Sequence, residues 1–412
     1  MSLSERGDGN LQKRFRAAAI AVVISLMLTG CSDEQVSEDG YKIFSDGTYV
    51  IEDEAPQLED KSNEYADFYV PEEMVMNYCS STFTAEEKEL YNSILGDLGT
   101  LQDKMPLETD AAAYEKILKT IRVENLAFPH VTKYWTEYNN GEFEVIVTYR
   151  MTADEISSMN MAAEKAAKEI VAQLTPDMDD YEKLKFFHDY LVLNCETDKS
   201  YAFSDTVYGA LVEKKALCEG YSKAFAYLCN LAGIENVIVT GKTYVPHMWN
   251  MVKVNGNWYH VDVTWDKPED QLHAIFPGVI LYQHFMVTDS VITNTHTMDS
   301  APFSPPQAFG TAENYFAREG ADISSKEELL TVSENAILSA VRNGKPSAMV
   351  KFETTDVLIA CTNDLSNEEL FNSIIEKASL EYGQNIMLSW TDYYRQYRIL
   401  TFIIEYKEQK TD

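Results

Sequence analysis

The stretch His247-Met-Trp-Asn-Met-Val-Lys-Val-Asn-Gly-Asn-Trp-Tyr-His-Val-Asp262 reads as two strands joined by a very tight turn. Asn255-Gly256 suits a two-residue hairpin loop, because both central residues of the favoured turn need positive φ and these residue types tolerate it. With that turn Val254 pairs with Asn257, which puts Asp262 opposite Trp249 and His247 opposite Thr264. His247 and Asp262 then lie on one face as diagonal neighbours, roughly 7–8 Å apart at the backbone. The other face carries Met248, Val252, Val254, Tyr259, Val261 and Val263, an apolar surface for a core. The first face carries His247, Trp249, Trp258, His260 and Asp262 and is expected to be the chemical one. A carboxylate so placed holds an imidazole in one tautomer and stabilises its charged form. His260 is an alternative base and Asp266 an alternative acid, but neither keeps the diagonal pairing as well.

Working outward, Cys218 stands 29 residues before His247, in Leu217-Cys-Glu-Gly-Tyr221. It falls at the start of a helix read over residues 216–231 and closed by Gly233. A thiolate there is stabilised by free backbone N–H groups and by the helix dipole, which lowers the thiol pKa. The same N–H groups suit the oxyanion of acyl transfer. A nucleophile, a base and an acid to orient the base are the parts that covalent acyl transfer needs.

The blocks Ala216-Leu-Cys-Glu-Gly-Tyr-Ser-Lys-Ala-Phe225, His247-Met-Trp-Asn250 and Trp258-Tyr-His-Val-Asp262-Val-Thr-Trp265 resemble the bacterial transglutaminase-like superfamily. Tyr208-Gly-Ala-Leu211 and Gly233-Ile234 fit as well, so the resemblance covers roughly residues 175–300. It implies a papain-like/transglutaminase-like α+β core, with Cys218 as nucleophile, His247 as base and Asp262 as its orienting acid. It also implies an oxyanion role for Tyr208, as an aromatic upstream of the Cys has in some relatives. The expected activity is that of a cysteine peptidase, amidase or transglutaminase acting on envelope peptides or proteins through a thioester. The alternative is a non-catalytic binding or scaffolding module. No calcium-ligand cluster is visible.

Residues 1–30 read as an export signal, with Lys13, Arg14 and Arg16 before an apolar run from Ala17 to Leu28. The run is short for a membrane span and leads into Leu28-Thr29-Gly30-Cys31, which resembles a lipobox. Cys31 is therefore the expected lipidation site, and the protein is expected to be extracytoplasmic and anchored to a bacterial cell membrane. A formal net charge of −32, from 34 basic and 66 acidic residues, argues against nucleic acid as a partner. The other cysteines, Cys79, Cys195, Cys218, Cys229 and Cys361, form no CxxC pair, and no HExxH is present. Neither a metal nor a cofactor is expected; a peptide or protein substrate is.

The remaining organisation follows from composition and periodicity. Residues 31–80 read as an acidic tether broken by Gly40, Gly47, Pro56 and Pro71. Residues 81–175 read as an N-terminal α+β region, with helices over 85–98, 111–122 and 159–174 and a strand over 143–149. The catalytic domain is expected over 176–305, opened by a helix carrying Tyr181, Leu184, Phe187, His188 and Leu191. A small α+β domain is expected over 320–412, with helices over 325–341 and 367–382 and strands over 347–352, 386–389 and 397–406.

Overall fold

The computed structural model describes residues 41–43, 49–51, 68–106, 111–127, 131–139, 142–268, 278–300, 303–365, 371–383, 385–394 and 397–407. The export segment and Cys31 lie outside them, as does most of the expected tether. Inside that stretch β1 (Tyr41–Ile43) pairs antiparallel with β2 (Tyr49–Ile51). Residues 68–80 are folded: Met74 and Cys79 are buried, and Leu126 N–H donates to the Met74 carbonyl at 2.9 Å. The apolar side chains at 74, 76 and 79 find a core there, so the acidic composition holds only for the residues before them.

Two compact units share the chain. Residues 36–267 with 284–314 form one, and residues 268–283 with 315–412 contribute to the other. The first opens with α1 (Ala85–Gly99), β3 (Lys104–Pro106), α2 (Ala111–Glu124), β4 (Val131–Asn139) and β5 (Glu142–Tyr149). The three strands form an antiparallel sheet in the order β3-β5-β4. Tyr91 and Ile94 of α1, Ile117 and Ile121 of α2, and Val145 and Val147 of β5 share one apolar core.

Next come α3 (Ala153–Val171), α4 (Asp180–Asn194) and α5 (Cys218–Leu231). Thr84, Thr152 and Asp179 each close a capping box with the Glu three residues on. Each such cap stabilises a helix by about 1 kcal/mol. The box at Thr152-x-x-Glu155 explains why α3 begins before the residue 159 that periodicity alone suggests.

The central sheet contains β6 (Asn236–Lys242), β7 (Pro246–Val254), β8 (Asn257–Val261), β9 (Phe285–Val287) and β10 (Thr297–Met298). Its order is β9-β8-β7-β6-β10, antiparallel throughout. The β7–β8 register is the expected one, with Val254 opposite Asn257 and Asn250 opposite Val261. Asn255 and Gly256 take φ of 50° and 80°, as the two-residue turn requires.

One expectation about this hairpin is corrected. The expected chemical face carries the His247–Asp262 pair at one end only, and the part bearing Trp249, Trp258 and His260 is a second core. Val237, Val239, Trp249, Met251, Val287 and Ile292 pack there, with Trp258 against them. The hairpin lies inside a five-stranded sheet, where Val291, Ile292 and Ala308 pack on that face and α5 packs against β7 and β6.

In the second unit, α6 (Leu329–Arg342), α7 (Thr355–Leu365) and α8 (Asn372–Tyr382) accompany a four-stranded sheet. Its strands are β11 (Asp322–Ile323), β12 (Ser347–Phe352), β13 (Ile386–Tyr394) and β14 (Ile399–Tyr406), in the order β11-β12-β14-β13. Only β11 and β12 run parallel.

Candidate active site

Cys218 is the first residue of α5, and the N-cap residue Leu217 supplies no side-chain cap. The first-turn N–H groups of α5 therefore have no side-chain cap from Leu217 and stand beside the thiol. Gly220 lets the segment at Ser204 approach the first turn of α5 closely. A Cβ at that position would lie 2.2 Å from the Ser204 carbonyl oxygen, which also accepts from Leu217 N at 2.8 Å. Gly220→Ala is expected to destabilise the protein by about 1–3 kcal/mol through this overpacking, measured as a lower urea midpoint at unchanged slope.

The sheet delivers the other two groups. His247 is the second residue of β7, and Asp262 follows the last residue of β8. His247 Nε2 lies 2.7 Å from Asp262 Oδ2, and both side chains are buried. Since a carboxylate only accepts, Nε2 carries the hydrogen. Nδ1 has no close hydrogen-bond partner and is the nitrogen left for the Cys218 thiol, the neighbour that acts on His247 from that side. Burial works against the charged imidazole, yet Asp262, helped by Cys218, holds its pKa well above the ordinary value. Asp262 is also buried, but His247 and His296 hold its carboxyl well below the usual carboxylate range. The structure thus brings together all three residues expected from the sequence.

The alternatives have other partners. Trp249 Nε1 donates to His260 Nδ1 at 3.0 Å, and His260 Nε2 meets Asp289 Oδ1 at 2.8 Å. Burial lowers the His260 pKa despite Asp289, which makes it a neutral core residue linking β7 to β8. Asp266 Oδ2 meets His188 Nε2 of α4 at 3.2 Å, and Asp266 Oδ1 accepts from His284 N at 2.8 Å. Asp266 therefore ties the end of the hairpin to a helix. Tyr208 gives its hydroxyl proton to Glu213 at 2.7 Å, within the same short helical turn.

Sequence reasoning missed two features. One is His296, whose Nε2 lies 3.0 Å from the same Asp262 Oδ2. It sits 34 residues beyond Asp262 in a Thr-rich stretch with no motif to mark it. The other is an ion-pair network at the residue after Cys218. Buried Glu219 receives Lys223 Nζ at 2.7 Å and Arg122 Nε at 3.1 Å. Helical spacing of four between Glu219 and Lys223 was the available signal.

Among the described residues, His247, Asp262 and His296 are the set whose ligand atoms, within 4.8 Å of one another, are spaced to admit a cation. Both imidazoles already direct Nε2 at the carboxylate, so the set is a hydrogen-bonded one. Cys79, Cys195, Cys218, Cys229 and Cys361 are all free and buried. Burial pushes the Cys195 thiol up to about 11 and raises Cys229 and Cys361 as well. Cys218 alone among them adjoins a histidine held by a carboxylate.

A cysteine at a helix start, facing a sheet that bears a His–Asp pair, defines the class of papain-like α+β folds. Comparison with known proteins places it more closely: residues 165–263 match the family model of the Transglutaminase-like superfamily, and the chain carries a transglutaminase-like domain. Kyphoscoliosis peptidase of Homo sapiens is 25% identical over 155 residues, which cover 34% of this chain and 23% of that protein. The Mus musculus protein of the same name matches with the same figures. The chain thus spans about a quarter of the length of these curated relatives. Among solved structures, a "TGase" is 15% identical with a TM-score of 0.24, covering 40% of this chain and 50% of its own. A "Putative Cysteine Protease from Cytophaga hutchinsonii" is 14% identical with a TM-score of 0.25, covering 40% of this chain and 65% of its own.

Proposed function

We propose that the protein is a cysteine acyl-transfer enzyme in which Cys218 is the nucleophile, His247 the general base and acid, and Asp262 the group that orients His247. The observation that carries this reading is the buried 2.7 Å contact between His247 Nε2 and Asp262 Oδ2, which leaves Nδ1 for Cys218. The Cys218 thiolate attacks a carboxamide or peptide carbonyl carbon, and the N-terminal N–H groups of α5 stabilise the oxyanion. The C–N bond breaks as His247 Nδ1–H protonates the leaving amine, giving a thioester. Water or a second amine then attacks the thioester, returns a proton to Nδ1 and frees the thiolate. The name of the curated relatives, a peptidase, supports the hydrolytic branch. Lipidation at Cys31 would tether the enzyme outside the cell membrane, within reach of envelope peptides or proteins.

The test is alkylation of Cys218 by iodoacetamide as a function of pH, in the wild type and in His247→Ala. The wild type is expected to react rapidly below about pH 7, as a thiolate paired with an imidazolium does. The variant is expected to follow an ordinary thiol with a pKa of about 8.5. Coincident profiles near that value would sink the enzyme reading in favour of a binding module.

A further inference from the structure

Asp262 accepts more hydrogen bonds than a Cys–His–Asp relay needs. Its Oδ1 accepts from Thr264 N at 3.0 Å and Trp265 N at 3.2 Å. Its Oδ2 receives both His247 Nε2 at 2.7 Å and His296 Nε2 at 3.0 Å. His296 is brought there by β10, which pairs with β6 at the edge of the central sheet just beyond it. It is buried, and its ring touches those of His247, Trp249, Trp265 and His284.

The chemistry of the partners settles the His296 tautomer. A carboxylate only accepts, so Nε2 carries a hydrogen. Burial outweighs Asp262 and lowers the His296 pKa, which favours the neutral ring with Nδ1 as an acceptor. Thr295 Oγ1 lies 2.8 Å from Nδ1, much nearer than the 3.4 Å to the Ile292 carbonyl it also faces, so Nδ1 is the better acceptor for its proton. A single direction of donation runs from the Thr295 hydroxyl through His296 to Asp262.

Resting on the acyl-transfer reading above, we propose that His296 is a positioning residue that acts through Asp262 to set the proton affinity of His247. Both imidazoles draw on one carboxylate oxygen. The N–H of neutral His296 takes up part of the negative charge that would otherwise hold the His247 imidazolium. Two backbone N–H groups already pin Oδ1, so His296 is not needed to stop the carboxylate turning, and its distinctive effect is electrostatic. The titratable groups facing this set are Cys218 on the α5 side, His247 on β7, His284 before β9, and His260, which senses Asp262 from β8. The consequence is a His247 whose pKa lies nearer to neutrality than a lone Asp262 would make it. A base that must both take and return a proton works best there.

Histidine ring ¹⁵N shifts across a pH titration of the full chain test this directly. The wild type is expected to show His296 neutral through the range where His247 titrates, with its proton on Nε2. In His296→Leu, His247 is expected to titrate about one pH unit higher, a tenfold change in its proton equilibrium. His296→Gln, which keeps an N–H donor near the same place, is expected to stay close to wild type. Thr295→Val, at a partly exposed position, should move His247 the same way by a smaller amount. A wild-type His296 protonated on Nδ1, or a His247 unmoved or lowered in His296→Leu, overturns the proposal. Should His296→Leu fail to fold, the wild-type tautomer and Thr295→Val still decide it. Iodoacetamide reactivity of Cys218 in the same samples separates the two questions: an ordinary thiol beside a shifted His247 removes the enzyme reading and leaves the His296 coupling standing.

Discussion

Asp262→Ala is expected to destabilise the protein by about 3–5 kcal/mol, because it breaks a buried charge pair from one side. It leaves the Thr264 and Trp265 N–H groups without their acceptor and two imidazoles without theirs. On the acyl-transfer reading proposed above, loss of His247's partner leaves Cys218 to react as an ordinary thiol, which for a reference pKa of about 8.5 is about 0.3% ionised at pH 6. Alkylation at that pH is then expected to fall about 300-fold from a thiolate that is largely formed. Asp262→Asn keeps the volume and an oxygen for the backbone N–H groups, so it should lose the reactivity with a smaller loss of stability.

The pH dependence of this pair has a definite sign. The Asp262 carboxyl is depressed in the folded state. Its contribution is complete above the unfolded value of about 3.9 and is lost as pH falls through the folded value. His247 is raised in the folded state. Its contribution is complete below the unfolded value of about 6.5 and is lost as pH rises through the folded value. Between those limits both charges are present, so urea midpoints should be highest there in the wild type. In Asp262→Ala both flanks should flatten.

The second large effect is expected at Glu219→Gln, with a loss of about 3–5 kcal/mol. The side chain of Lys223 is 1% exposed and would be left without the carboxylate 2.7 Å away. Arg122, 62% exposed on its side chain, contributes less because solvent screens it. Burial alone would raise the Glu219 pKa, but Arg122 and Lys223 hold it well below the ordinary range. The network therefore stabilises in full above about pH 4.3, and its contribution is lost as pH falls through the lower folded value. A Glu219→Leu/Lys223→Met double variant should recover most of the loss in urea unfolding, since an apolar pair of similar size replaces a buried ion pair at little cost. No recovery would mean that the network also sets the geometry at the start of α5.

Much of the site was legible because its determinants are local. Asn255-Gly256 dictates a turn, the turn dictates the register, and the register puts His247 and Asp262 on one face. Cys218 follows from its place at the start of a helix that periodicity marks. The same locality explains the error about the hairpin's second face. Alternation tells which residues share a face but not what covers it, and Trp249 and His260 turned out to satisfy each other beneath Ile292 and Ala308. The packed residues 68–80 were missed for a related reason, since a few apolar positions in an acidic stretch show no period.

By itself, then, the sequence determined the hairpin, its register and the three groups suited to nucleophilic chemistry, because backbone conformation and strand parity are properties of neighbouring residues. Only the tertiary structure decided which histidine meets which carboxylate. His260 is taken by Trp249 and Asp289, and Asp266 by His188 and His284, through contacts between elements distant in the chain. It likewise brought His296 to Asp262 across 34 residues. A buried carboxylate collects every donor that packing places within reach, and that set is a property of the assembled fold.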